Sequence, residues 1–176
     1  GIKGDDPILD DGLPQVAFIG RSNAGKSSLF NHLVAAERAI VTSIAGTTRD
    51  VIESGVYRSD GTYVTFIDTA GLRHTNNVIE RAGITRSFKE AELADIILLV
   101  VDGSRTHTKA EETIYQQLID QYLKKIILIV TKHDISRDQT LCLTENVSSV
   151  ALSTHTKYGC ELLEERITER IQALLK

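Results

Sequence analysis

The sequence predicts a single α/β domain of three layers, a six-stranded, mostly parallel sheet with one antiparallel hairpin strand and helices on both faces. Three observations lead there. The runs 96–101 and 126–130 are apolar throughout and rich in β-branched residues, the pattern of strands covered on both faces. Segments with helical spacing of apolar residues alternate with these runs. Two further strands, 51–57 and 63–67, flank Ser59-Asp60-Gly61, and Asp-Gly is a strong hairpin signal.

Taken in order, residues 1–13 are acidic and turn-rich and read as a lead-in or linker, with the domain occupying 14–176. A buried strand is expected at 15–19, then a glycine-rich loop and a helix over 26–35. The hairpin follows, then a helix over 80–92 that aligns Ile84, Phe88 and Ala91. Strand 96–101, helix 109–122 and strand 126–130 come next, and 147–152 is a weaker sixth strand. The last helix, 160–175, places Leu163, Ile167, Ile171 and Leu174 on one face, expected to pack on the sheet.

Composition narrows the function classes. The 176 residues, 41% of them apolar, suit one domain with one sizeable core. A net charge of −4 argues against direct, sequence-independent binding to nucleic acid, which needs a basic face. The longest apolar runs are too short to span a bilayer, so no membrane partner is expected. Cys142 and Cys160 fit neither a metal-ligand spacing nor a disulfide framework, and two free thiols in a reducing cytoplasm are expected. The chain contains no methionine, which leads us to expect a piece of a longer polypeptide.

The first chemical signal is Gly20-Arg21-Ser22-Asn23-Ala24-Gly25-Lys26-Ser27, a complete G-x-x-x-x-G-K-S between a strand and a helix. Glycines let the backbone curl until successive N–H groups, from Asn23 through Ser28, point at phosphate oxygens. The positive end of the following helix adds to that field. Lys26 would neutralise β and γ oxygens, and Ser27 would offer a hydroxyl to Mg²⁺. The expected fold is therefore that of a Ras-like P-loop nucleotide-binding domain.

Later motifs choose the nucleotide. Asp68-Thr69-Ala70-Gly71 closes the strand at 63–67, where Asp68 can reach Mg²⁺ through a water and Gly71 can meet the γ-phosphate with its amide. In the polar loop at 45–50, Thr47 or Thr48 can complete the magnesium shell, and Thr48 is favoured. Thr131-Lys132-His133-Asp134 follows a strand, as a guanine reader does. Asp134 would accept from guanine N1–H and the 2-amino group together, an arrangement that adenine would leave unpaired. Lys132 would lay its stem against the base, while Thr131 stands where Asn is more usual and loses an amide contact. Ser153-Thr154 would bring a backbone amide to guanine O6. GTP and GDP are the nucleotides expected, ahead of the ATP of a P-loop kinase or ATPase.

With these motifs in hand, residues 15–176 resemble the bacterial Era/TrmE superfamily of GTPases, most closely the G domain of the tRNA-modification GTPases (TrmE, or MnmE). The specific marks are RAIVTSIAGTTRDVI at 38–52, IDTAGLR at 67–73, IERAGITRS at 79–87 and ADIILLVVDGS at 94–104. LPQVAFIGRSNAGKSSL and TKHD are similar to the EngB/YihA family, and GTTRD with DTAGLR to Der (EngA), both of ribosome assembly. The TrmE resemblance implies a longer protein with a folate-binding domain and a helical domain. It also implies a GidA-like partner that joins it in modifying the wobble uridine of certain tRNAs.

Hydrolysis raises a separate question. The position after Gly71, a glutamine in Ras-type enzymes, is Leu72, which cannot orient water. The resemblance implies a K⁺ ion held by Asn23 and by carbonyls of the 42–46 loop, and it maps the water-orienting carboxylate onto Glu80. It further implies that two G domains meet through their switch regions in the GTP state. Otherwise Asn23 is a turn residue, Glu80 charges a helix end, and the domain is a binding switch with negligible hydrolysis until a partner arrives.

Overall fold

The computed structural model describes residues 14–21, 24–36, 41–43, 54–57, 63–66, 81–132 and 147–175. Eleven elements follow one another along the chain: β1 (Gln15–Gly20), α1 (Lys26–Ala36), β2 (Val41–Ser43), β3 (Ser54–Tyr57), β4 (Tyr63–Phe66), α2 (Arg81–Leu93), β5 (Ile96–Asp102), α3 (Lys109–Tyr122), β6 (Ile126–Thr131), β7 (Ser149–Ala151) and α4 (Cys160–Leu174). They build one sheet in the order β2-β3-β4-β1-β5-β6-β7. From β4 to β7 every pairing is parallel.

Strand alternation divides the core in two. Successive side chains of a strand point to opposite faces, and the central strand β5 is buried along its whole length. Ile96, Leu98 and Val100 join Val16 and Phe18 of β1 and Ile127 and Ile129 of β6 on one face. Leu29 and Leu33 of α1 and Leu163, Ile167 and Ile171 of α4 cover that face. Ile97, Leu99 and Val101 join Ala17, Ile19, Ile126 and Leu128 on the other face, under Ala91 of α2 and Tyr115, Leu118, Ile119 and Tyr122 of α3. The continuous apolar runs in the sequence are thus strands buried on both faces, and the three-layer architecture follows.

Two details depart from the sequence-based expectation. The sheet has seven strands where six were expected, because Val41–Ser43 pairs antiparallel with β3 in the register Val41↔Val56, Thr42↔Gly55 and Ser43↔Ser54. Three residues are too few to show a period of two, and only a distant partner makes them a strand. Two antiparallel ladders result, since β3 and β4 also pair as a hairpin with Tyr57 opposite Tyr63. Thr42 and Ser43, expected in the carbonyl-bearing loop, belong to this strand. The other departure is Leu174, which is 46% exposed although it continues the stripe of Leu163, Ile167 and Ile171.

Candidate functional site

The loops after β1, β5, β6 and β7 leave the carboxyl ends of parallel strands, the edge where open α/β sheets bind ligands. The loop after β1 is shaped by close approach. A Cβ at Gly20 would run into the Val100 carbonyl, and Gly25 holds φ +102°, a conformation that L side chains rarely adopt. The Ala24 amide turns back to donate to Arg21 O at 3.0 Å, and α1 begins at Lys26.

Lys26 is 5% exposed. Burial pushes its ammonium below the usual range, against the raising influence of the Glu90 carboxylate. Glu90 on α2 accepts from Arg86 Nε at 3.0 Å, and burial raises its carboxyl. A desolvated ammonium at a helix N-terminus is suited to an incoming polyanion, whose charge would replace the lost hydration. Ser27 follows Lys26 in the first turn of α1. Among the described residues no group of three or more His, Cys, Asp or Glu side chains gathers as a metal centre. Such a cluster is not needed for a nucleotide-bound Mg²⁺, which takes few protein ligands and shares phosphate oxygens.

Beside the phosphate loop lies a cleft of about 270 Å³ lined by Ala24, Gly25, Ser28, Thr131, Lys132, Ser153, Thr154 and His155. Three segments far apart in sequence meet there. Thr131 is 4% exposed, and its hydroxyl lies 2.6 Å from Ala24 O and 3.1 Å from Val101 O. One hydroxyl proton serves the nearer carbonyl, so Thr131 ties the end of β6 to the phosphate loop.

Lys132 adopts a left-handed φ of 59°, and its ammonium donates to Asp102 Oδ2 at 2.9 Å. Asp102 ends β5 and is 3% exposed. Burial alone would raise its carboxyl, but hydrogen bonds from the Ser104 hydroxyl at 2.6 Å and amide at 2.8 Å, with that from Lys132, hold it below the usual carboxylate range.

Ser153 lines the cleft, yet its amide donates to Tyr158 O at 2.9 Å and its hydroxyl accepts from the Thr156 amide at 3.1 Å. Both groups of Ser153 are therefore committed to building the loop. The buried Cys160, a free thiol, points its Sγ at Ser153 O at 3.7 Å.

The structure therefore brings together Ala24, Gly25, Lys26, Ser27, Ser28, Thr131, Lys132, Ser153 and Thr154. Asn23, Thr47, Thr48, Asp68, Gly71, Glu80 and Asp134 lie outside the described residues, as does Cys142. Sequence reasoning missed Asp102, which carries no local signal, and Glu111 on α3, which accepts from Arg21 and Arg105. For Glu111 a signal existed, since Thr108-x-x-Glu111 is a capping-box pattern.

A doubly covered parallel sheet, a glycine-shaped loop opening α1 and a base-sized cleft beside it define a P-loop nucleotide-binding domain. Residues 15–132 match the model of the family described as 50S ribosome-binding GTPase, and the chain belongs to that family. It is similar to the tRNA modification GTPase MnmE of Synechocystis sp. (38% identity over 93% of this chain), of Aquifex aeolicus (40% over 92%) and of Enterococcus faecalis (42% over 92%). The chain spans about a third of the length of these curated relatives, 35% in each case. The fold is that of the G domain of the T. maritima FeoB iron transporter, at TM-score 0.59 and 24% identity, covering 93% of this chain and 99% of that one. It is also that of Era in complex with MgGDPNP and a 16S ribosomal RNA fragment, at TM-score 0.62 and 24% identity, covering 90% of this chain and 56% of that one. The chain is a GTP-binding domain that hydrolyses GTP. No described helix is long and apolar enough to cross a membrane.

Proposed function

We propose that this domain supplies the GTPase activity of a tRNA-modification GTPase acting in the cytoplasm. The observation that carries the reading is the cleft where Ala24–Ser28, Thr131-Lys132 and Ser153–His155 converge beside a buried Lys26. The sequence similarity to MnmE gives the biological direction. The family description favours a second reading, ribosome assembly, but it applies to the family as a whole.

In this reading the amides from Asn23 to Ser28 and the Lys26 ammonium hold the phosphates. Lys132 lies along the purine, kept there by Asp102, while Asp134 accepts from the guanine edge and the Thr154 amide faces O6. Ser27, Thr48 and Asp68, with Thr47 as the alternative to Thr48, would hold Mg²⁺, which shields the β and γ oxygens when bound. Asn23 would hold K⁺, which supplies the positive charge that an arginine finger provides elsewhere. The Gly71 amide meets the γ-phosphate, and Glu80 orients water in place of the apolar Leu72. The partners proposed are a second copy of the domain, meeting it through the switch regions, and a GidA-like protein.

Base choice tests the site directly. GTP and GDP should compete far better than ATP and ADP against a fluorescent guanine nucleotide, and Asp134→Asn should move that preference toward xanthine nucleotides. Equal competition by ATP would end the guanine assignment. Turnover in KCl against NaCl at matched ionic strength tests the rest. The rate should be higher in K⁺, and GDP with aluminium fluoride should drive dimers only there. Glu80→Ala should lower turnover at least about tenfold with affinity unchanged, and a wild-type rate in that variant would remove Glu80 from the mechanism.

A further inference from the structure

Glu111 does more than a helix cap requires. It stands at the third position of α3 and completes a capping box, in which Thr108 N donates to its Oε1 at 3.1 Å and its own amide donates to Thr108 Oγ1 at 3.1 Å. A capping glutamate ordinarily sits at the surface, where water solvates whatever the cap leaves unpaired. The Glu111 side chain is 0% exposed. Such a carboxylate has to find charged donors or lose its charge.

Glu111 finds two. Arg105 donates from Nη2 to Oε2 at 2.6 Å, with Nη1 at 3.5 Å from Oε1. Arg21 donates from Nη1 to the same Oε2 at 3.3 Å, across 90 residues of sequence. Burial pushes the carboxyl up, and the bonds from Arg105, the Thr108 amide and Arg21 outweigh it and bring it down to about 2. The carboxylate is therefore anionic at neutral pH and is shared between the start of α3 and the phosphate loop.

Arg21 directly follows Gly20, and its carbonyl receives the Ala24 amide that closes the first turn of that loop. The Arg21 side chain is partly buried, at 29% exposed. It turns to Glu111. Arg21 is thus held at both its carbonyl and its guanidinium.

We propose that Glu111 is a positioning residue for nucleotide binding, acting through Arg21 to preorganise the phosphate loop. This rests on the assignment of that loop to phosphate. Loop order that exists before binding need not be created during it, and the benefit appears as affinity.

A double-mutant cycle tests the proposal, with affinity and dissociation rate of a fluorescent GDP analogue and the melting temperature of nucleotide-free protein as readouts. Arg21→Met should weaken GDP binding about five- to tenfold, with the melting temperature nearly unchanged, and Glu111→Gln should weaken binding similarly while also lowering the melting temperature through Arg105. In the double variant the affinity losses should fall well short of multiplying. Losses that multiply fully, or an Arg21→Met affinity within about twofold of wild type, would overturn the proposal and leave Glu111 a cap. Should Glu111→Gln fail to fold, Glu111→Asp takes its place in the cycle with the same two outcomes. Asp keeps the charge and the cap but withdraws the carboxylate by one methylene. Lys26→Ala serves as the control arm: if it binds GDP like wild type, the phosphate-loop assignment itself has failed.

Discussion

The two ends of the nucleotide cleft are built on different plans. At the phosphate end one short stretch, Gly20 to Ser28, carries the tight turn, the buried Lys26 and the start of α1 in consecutive residues. The base end draws on Ala24, Gly25, Ser28, Thr131-Lys132 and Ser153–His155, held together by single contacts: Thr131 to Ala24 O, Lys132 to Asp102, Ser153 to Tyr158 and Thr156. A local plan concentrates function in few residues, whereas a dispersed plan spreads it over many modest contacts. Single substitutions should therefore cost much more at the phosphate end.

The largest effect should come from Lys26→Ala, which removes the buried ammonium at the start of α1. GTP and GDP affinity should fall about a hundredfold or more while the melting temperature of nucleotide-free protein holds, because charge-assisted contacts are lost and no core packing is. Calorimetric titration checks it, and a loss under tenfold would erase the contrast between the two ends.

Thr131→Val should show the milder, structural kind of loss. It keeps the shape of the side chain but leaves Ala24 O without its 2.6 Å partner. Stability should drop by about 1–2 kcal/mol, with GDP affinity falling about tenfold at most. Urea denaturation and nucleotide titration measure the two, and a loss matching that of Lys26→Ala would show the base end to be equally concentrated.

The smallest effect concerns acid. The Glu111 carboxyl is brought from its usual 4.5 to about 2, so it binds protons less readily folded than unfolded. Its contribution is fully present above about pH 5 and drains away as pH falls toward about 2. Asp102, also lowered, acts in the same direction. Glu111→Gln should flatten the fall in denaturation midpoint between about pH 5 and pH 3. An unchanged slope would mean that the arginines do not hold the charge.

Much of this was legible in the chain because the physics was local. Periods of two and 3.6 and the Gly-x-x-x-x-Gly-Lys-Ser spacing are patterns among near neighbours, and helical spacing gave α3 over Lys109–Tyr122 to the residue. Strand β2 was not legible, since three residues have no measurable period until Ser54–Tyr57 lies beside them. Nor was the exposure of Leu174, which depends on what the fold sets opposite the last turn of α4 and not on the helical stripe.

The sequence by itself determined the three-layer class and the glycine-rich loop that opens α1. Only the tertiary structure decided what the segments around the cleft hold on to: that Thr131 reaches Ala24, that Lys132 leans on Asp102, that the Ser153 amide is committed to Tyr158, and that Arg21 shares Glu111 with Arg105. The physical reason is desolvation. Buried polar and charged groups must be paired, the partners come from whichever strands and helices the fold sets side by side, and a gap of 90 residues between Arg21 and Glu111 leaves no trace in any local pattern.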